Sequence, residues 1–212
     1  TRRRDPSVLF NEGYLYVVPN DGGTASTPLL ETVAKRFGDE VYVGDALSPS
    51  MFTAGDRPKT VTFQLRVRSA VYMPVHIESR VHRRAGYSKT VVGANIRQNL
   101  TDFFSVMIKA SSLLRLSPIL AQSIGVTAAD GNTLVPNPMI NFGYSLKAAD
   151  GTPAASLAWS DIFNAIRDSE GVNEVDPGML LNGEQGSVHL ALREFPSLGD
   201  LVLVDMTDGG LL

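Results

Sequence analysis

From Thr60 to Ser69 the chain reads Thr-Val-Thr-Phe-Gln-Leu-Arg-Val-Arg-Ser. Val61, Phe63, Leu65 and Val67 alternate with Thr62, Gln64, Arg66 and Arg68. A strict period of two fits an extended strand and no helix, and it fixes one apolar face and one polar, cationic face. After Pro74 the pattern resumes, with Val75, Ile77 and Val81 set against His76, Glu78, Arg80 and His82. Two consecutive half-buried strands require something apolar to cover them. The next segment supplies it: Ser88 suits a helix cap, and Val92, Ile96, Leu100, Phe103 and Phe104 form one stripe over Lys89 to about Phe104.

The same logic organises the rest. Tyr14 to Val18 reads as a strand, followed by the loop Pro19-Asn20-Asp21-Gly22-Gly23. Thr27 is the expected N-cap of a helix with Pro28 in its first turn, Leu30, Val33, Ala34 and Phe37 inward, and Gly38 at its end. Val41 to Val43 closes a β-α-β unit. The stretch 105–138 mixes short apolar pieces with turn signals, and Phe142 to Ala148 reads as a strand. A helix is expected from Ser160 with Ile162, Phe163 and Ile166 inward. Strands then follow at Gly171–Val175, at Val188–Leu192 and at Leu201–Val204, the last after a turn from Pro196 to Gly199. The expected fold class is mixed α+β. It has small sheets with amphipathic helices packed on one face, β-α-β and ββα units, and no doubly wound nucleotide fold. The expected organisation is a linker at 1–12 from an upstream part, a first α/β module at 13–104, an irregular connection at 105–138 and a second α/β module at 139–212.

Composition removes several function classes. The 212 residues hold no cysteine, so disulfides, thiolate metal sites and cysteine nucleophiles are out. A net charge of −3 gives no bulk attraction to nucleic acid or anionic membrane, although Arg2-Arg3-Arg4 and Arg83-Arg84 are local basic clusters. No apolar run approaches the roughly 18 residues that span a bilayer.

The strand–glycine loop–helix order at Tyr16–Val33 is the arrangement that cradles phosphate at a helix N-terminus. The loop lacks the lysine and the third glycine of such motifs and carries Asp21, so it reads as a connector. His76, Glu78 and His82 share a strand face. His76 and His82 stand about 20 Å apart at strand spacing, and Arg80 between them opposes a cation, so they read as a solvated or partner-facing surface. His189 lies near Glu184 and Arg193 in an ordinary strand setting, and no nucleophile elbow occurs. Trp159 stands just before the expected helix cap and reads as a staple residue packing on that helix, with an interface anchor as the alternative. The acceptor pattern Asn99-Leu100-Thr101 falls inside a helix. The residues thus yield no catalytic, cofactor or metal set. A hydrolase working through His76 and Glu78 with Asp45 or Asp56 is the enzymatic alternative, and a carbohydrate-binding module built on Trp159 is the least supported.

The order of the pieces resembles a known family. Residues 4–37 (RDPSVLFNEGYLYVVPNDGGTASTPLLETVAKRF), 160–181 (SDIFNAIRDSEGVNEVDPGMLL) and 192–205 (LREFPSLGDLVLVD) are similar to stretches of the phage baseplate J-like proteins. The likeness covers about 5–104 and 157–205. It implies a structural wedge subunit of a contractile-tail baseplate, without enzymatic activity or cofactor. The implied partners are other wedge subunits, the central hub or spike, and further copies in a ring. Neither nucleic-acid binding nor membrane insertion is implied. The implied location is the virion tail after assembly in the host cytoplasm, and a related injection or type VI secretion machine is the near alternative.

Overall fold

A computed structural model of the chain describes residues 12–36, 41–43, 46–47, 64–143 and 156–212. It is mixed α+β, as the periodicities require. The chain divides into two compact units, Thr1–Val71 and Tyr72–Leu212. The expected module boundaries at 104/105 and 138/139 do not coincide with this division, because the helix ending at Phe104 packs on elements of the second unit.

In the first unit, β1 (Glu12–Val17), β2 (Val41–Val43), β3 (Ala46–Leu47) and β4 (Gln64–Ser69) form a sheet in the order β1-β4-β2-β3. β4 pairs in parallel with both β1 and β2. The expected β-α-β unit is therefore split, with the later strand inserted between its two strands. Helix α1 (Thr27–Ala34) buries Leu30 and Ala34 together with Ala25 and Val67, flanked by Leu15, Val17 and Leu65. The opposite face carries Tyr14 stacked on Tyr16 at 6.2 Å, with the Arg68 guanidinium 4.7 Å over the Tyr14 ring. The N-cap is Ser26 rather than Thr27: its Oγ accepts the Leu29 N–H at 3.4 Å. Both residues are good caps, and Pro28 tolerates either register because it has no N–H to leave unpaired. Phe37, Gly38 and residues 61–63 lie outside the described residues.

The second unit is centred on β5 (Val71–Arg83), a strand of 13 residues. From Val75 to Val81 its side chains alternate strictly between buried and exposed, and Val75, Ile77 and Val81 are fully buried. β5 runs straight through Pro74. Pro74 precedes Ile77, the first residue paired to the neighbouring strand β10 (Leu180–Leu181), so the missing N–H interrupts no bond of that ladder. β9 (Val172–Val175) pairs with β5 further along, and β12 (Glu194–Asp205) lies on its other side. β12 also runs through the expected turn at Pro196–Gly199. A side chain at Gly199 would meet the Val75 carbonyl at 3.1 Å, so this glycine allows close strand approach and makes no turn.

Helix α2 (Lys89–Phe104) packs against β12 and against α5 (Trp159–Arg167). Ser88 caps it as expected, its Oγ accepting the Val91 N–H at 3.3 Å. Val92, Ile96 and Leu100 are fully buried and Phe103 nearly so, and each such side chain contributes about 1.5–3 kcal/mol. Most polar groups inside this layer are bonded, Ser79 Oγ being buried without a partner among the described residues. Asn99 Nδ2 donates to Ser169 Oγ at 2.8 Å and accepts at Oδ1 from the Arg115 guanidinium. At the far end of α2, buried Asn137 donates from Nδ2 to the carbonyls of Phe103 and Ser105, both at 2.8 Å, and so satisfies groups that a helix end leaves open.

The segment 105–138 is more regular than its sequence suggests. β6 (Met107–Lys109) pairs with β7 (Leu134–Pro136), and between them lie the short helices α3 (Ala110–Leu116) and α4 (Pro118–Ser123) and a 3₁₀ turn at Ala128–Asp130. They enclose a small core of Ile108, Ala110, Leu113, Ala121 and Val126. Phe142 and Gly143 form no strand, and 144–148, the rest of that expected strand, lie outside the described residues. β8 (Ser156–Leu157) and β11 (Val188–His189) complete the elements, and Leu192 is exposed beyond β11.

Candidate interaction surface

The open face of β5 is the first candidate. His76, Glu78 and Arg80 are exposed along it, and His82 is half-buried. Each polar group that finds a partner finds it on the adjoining strand or turn. His76 Nδ1 stands 3.1 Å from the Asp200 backbone nitrogen and 3.1 Å from Asp200 Oδ2. Arg80 is 3.7 Å from Asp176. Glu78 lies opposite Leu180, and His82 opposite Glu174. The arrangement is a row at strand spacing and brings no two of these groups onto a common point. Asp45 and Asp56, the expected companions of His76 and Glu78, lie outside the described residues. No group of three or more metal-ligating side chains occurs among the described residues.

At one end of β5 the polarity turns inward. Asp205 is fully buried and accepts from Arg83 Nε at 2.6 Å and from the Thr207 N–H at 2.9 Å. Burial alone would raise this carboxyl. The Thr207 N–H and the Arg83 guanidinium outweigh it and hold Asp205 below the usual carboxylate range. Arg83 also donates to the Tyr87 carbonyl at 2.8 Å, so it is committed to the fold and is no free phosphate contact. Nearby, Lys89 bonds Asp208 at 2.5 Å and lowers its pKa, and Glu170 accepts from the Tyr87 hydroxyl and raises that group.

The other sequence candidates resolve individually. Gly22 and Gly23 both have φ near +75°, and the Gly22 N–H closes a turn on the Pro19 carbonyl at 2.9 Å, which is connector geometry. Trp159 stacks on Phe163 of its own helix at 4.7 Å and donates from Nε1 to the Met179 carbonyl at 2.9 Å. It is a packing residue, although it opens the helix and does not precede it. Asn99 is buried, so the glycosylation pattern is inaccessible in this fold. His189 Nδ1 lies 2.9 Å from Ser156 Oγ across the β8–β11 ladder. Arg2, Arg3 and Arg4 lie outside the described residues.

A second candidate escaped sequence reasoning. A cavity of about 390 Å³ opens between the first two turns of α5 and the α3–α4 junction. Phe103, Leu116, Pro118, Ile119, Leu120 and Met139 give it an apolar lining, and Asp161 and Asn164 stand on the α5 side. The available signal was Pro118-Ile119-Leu120, an apolar run beside a helix-initiating proline within a stretch that otherwise read as irregular.

The chain matches no protein-family model and no curated protein. Among the described residues, no helix is long and apolar enough to cross a membrane.

Proposed function

We propose that this chain is a structural subunit of a contractile-tail baseplate, a wedge component that joins other wedge subunits and further copies around a central hub or spike. The observation that carries the reading is the open β5 face. Its titratable groups are spread in a row, with His76 and Arg80 paired to Asp200 and Asp176, which suits contact over an area and does not suit attack at a point. The similarity of residues 4–37, 160–181 and 192–205 to baseplate J-like proteins selects this assembly among others. A related injection machine would use the same surface in the same way.

Co-expression with the adjoining wedge subunits, followed by sedimentation, tests the proposal. The expected result is entry of the chain into particles of hundreds of kilodaltons or more. A chain that remains monomeric at high concentration and is recruited by no wedge partner would contradict it.

A further inference from the structure

The cleft beside α5 differs in kind from the β5 face. Its volume of about 390 Å³ lies within the range that accepts a ligand or a large side chain. Its wall is apolar on the α3–α4 side, where Ile119 at the rim is 81% exposed, the highest value for a large hydrophobic among the described residues. An isoleucine held that far into water gains nothing for the fold of the isolated chain.

The opposite wall is acidic and incompletely bonded. Among the described residues, Asp161 has only the adjacent Ser160 hydroxyl, at 3.4 Å, and no cation within ion-pair distance. The Asn164 side-chain amide has no hydrogen-bond partner among the described residues, although its backbone carbonyl accepts the Asp168 N–H. Asp168 on the same helix, by contrast, is neutralised by Arg167 at 2.8 Å, and Asp102 near the cleft lies 3.6 Å from Arg115. Of these three carboxylates, the one without a cation among the described residues is the one that borders the apolar hollow.

We infer that this cleft is a docking site for a polypeptide segment of a partner subunit, one that inserts an apolar side chain against Phe103, Leu116 and Leu120 and lays a neighbouring lysine or arginine on Asp161. The carboxylate supplies the charge complementarity, and Asn164 is placed to bond the segment's backbone. Ile119 extends the apolar contact outside the hollow, where a peptide has a continuing chain and a small amine has nothing. The inference rests on the assembly reading for the kind of occupant, while the chemistry of the cleft stands apart from it.

The test is titration of the full chain, with methyl groups observed by NMR, using two acetylated peptides that differ in one residue: Ala-Leu-Ala-Lys-Ala and Ala-Leu-Ala-Glu-Ala. The lysine peptide is expected to shift the methyls of Leu116, Ile119, Leu120 and Met139, and Asp161→Asn is expected to weaken it by about fivefold, the scale of an exposed charged pair. The glutamate peptide is expected to shift them at least about fivefold more weakly. Absence of shifts at millimolar lysine peptide, equal response to both peptides, or an unchanged affinity in Asp161→Asn would overturn the inference. So would binding of phenylethylamine as tightly as the lysine peptide, since the occupant would then be a small amine. Asp161 is exposed on the first turns of α5, so the variant is expected to fold. If the peptides fail while wedge subunits still recruit the chain, the cleft proposal falls and the assembly proposal stands.

Discussion

The layer formed by α2, β5 and β12 and the neighbouring α3–α4 junction belong to the same unit but differ in their apolar residues. The layer exposes Val71, Val91 and Val202 only about halfway, whereas Ile119 at the junction is largely in water. In the layer, Val92, Ile96, Leu100, Ile77 and Leu203 are sealed, and polar groups such as Asn99, Asn137 and Asp205 are bonded where they enter it. At the junction Ile119 faces outward, and across the cleft on α5 Asp161 stands without a cation among the described residues. The first region holds more of the fully buried side chains of this unit than the second. The second buries Leu113 and Ala121 in its own small core but leaves Ile119 outside it. The contrast sets the cleft apart from the core of this unit, and the docking proposal for it stands or falls with that contrast.

Substitutions separate the two regions, beginning with the largest effect. Leu100→Ala removes a fully buried side chain from the centre of the α2 stripe and is expected to cost about 3 kcal/mol in urea unfolding. A loss below about 1 kcal/mol would mean that α2 is not the lid of this core.

Asp205→Asn comes next. It leaves Arg83 partly buried without its counter-charge, at a cost of about 2 kcal/mol. The pH dependence has a definite sign. The Asp205 carboxyl titrates lower when folded than when unfolded, so its contribution is complete above the ordinary carboxylate range. It is lost as pH falls below about 4 and through the folded value. Asp130, held low by the Thr127 N–H, and Asp208, held low by Lys89, act in the same direction. Thermal melts from pH 7 to pH 3 should therefore show a steeper acid decline for the native chain than for Asp205→Asn. Parallel declines would remove the buried pair from the account.

The smallest expected effect sharpens the comparison from the other side. Ile119→Ala should change unfolding free energy by no more than about 0.5 kcal/mol, because the side chain is largely in water already. A loss comparable to that of Leu100→Ala would place Ile119 in the core and erase the distinction between the regions.

What the sequence disclosed follows the same divide. β5 and α2 are dictated locally: alternation from Val75 to Val81 sets the strand face, and Ser88 with the stripe from Val92 to Phe103 sets the helix and its start. Pro74, Pro196 and Gly199 misled because a proline or glycine breaks a strand only where its own N–H or side chain is needed, and that depends on partners distant in sequence. The split of the β-α-β unit by β4 was hidden for the same reason, since β4 finds its place by pairing and not by its own pattern. The cleft was illegible because it joins α5 to a junction some 45 residues earlier in the chain. Asp161 looked like any other carboxylate until the fold set it beside apolar surface. The open β5 face was legible as a polar row, and the Asp200 and Asp176 partners that tie it down were not.

The most direct test of the central claim is an electron micrograph of the particle that carries this chain, labelled with an antibody raised against residues 72–212. The account predicts label in a ring at the end of a contractile tail, around the central spike. Label confined to soluble material, with none on any tail or injection particle, would contradict it.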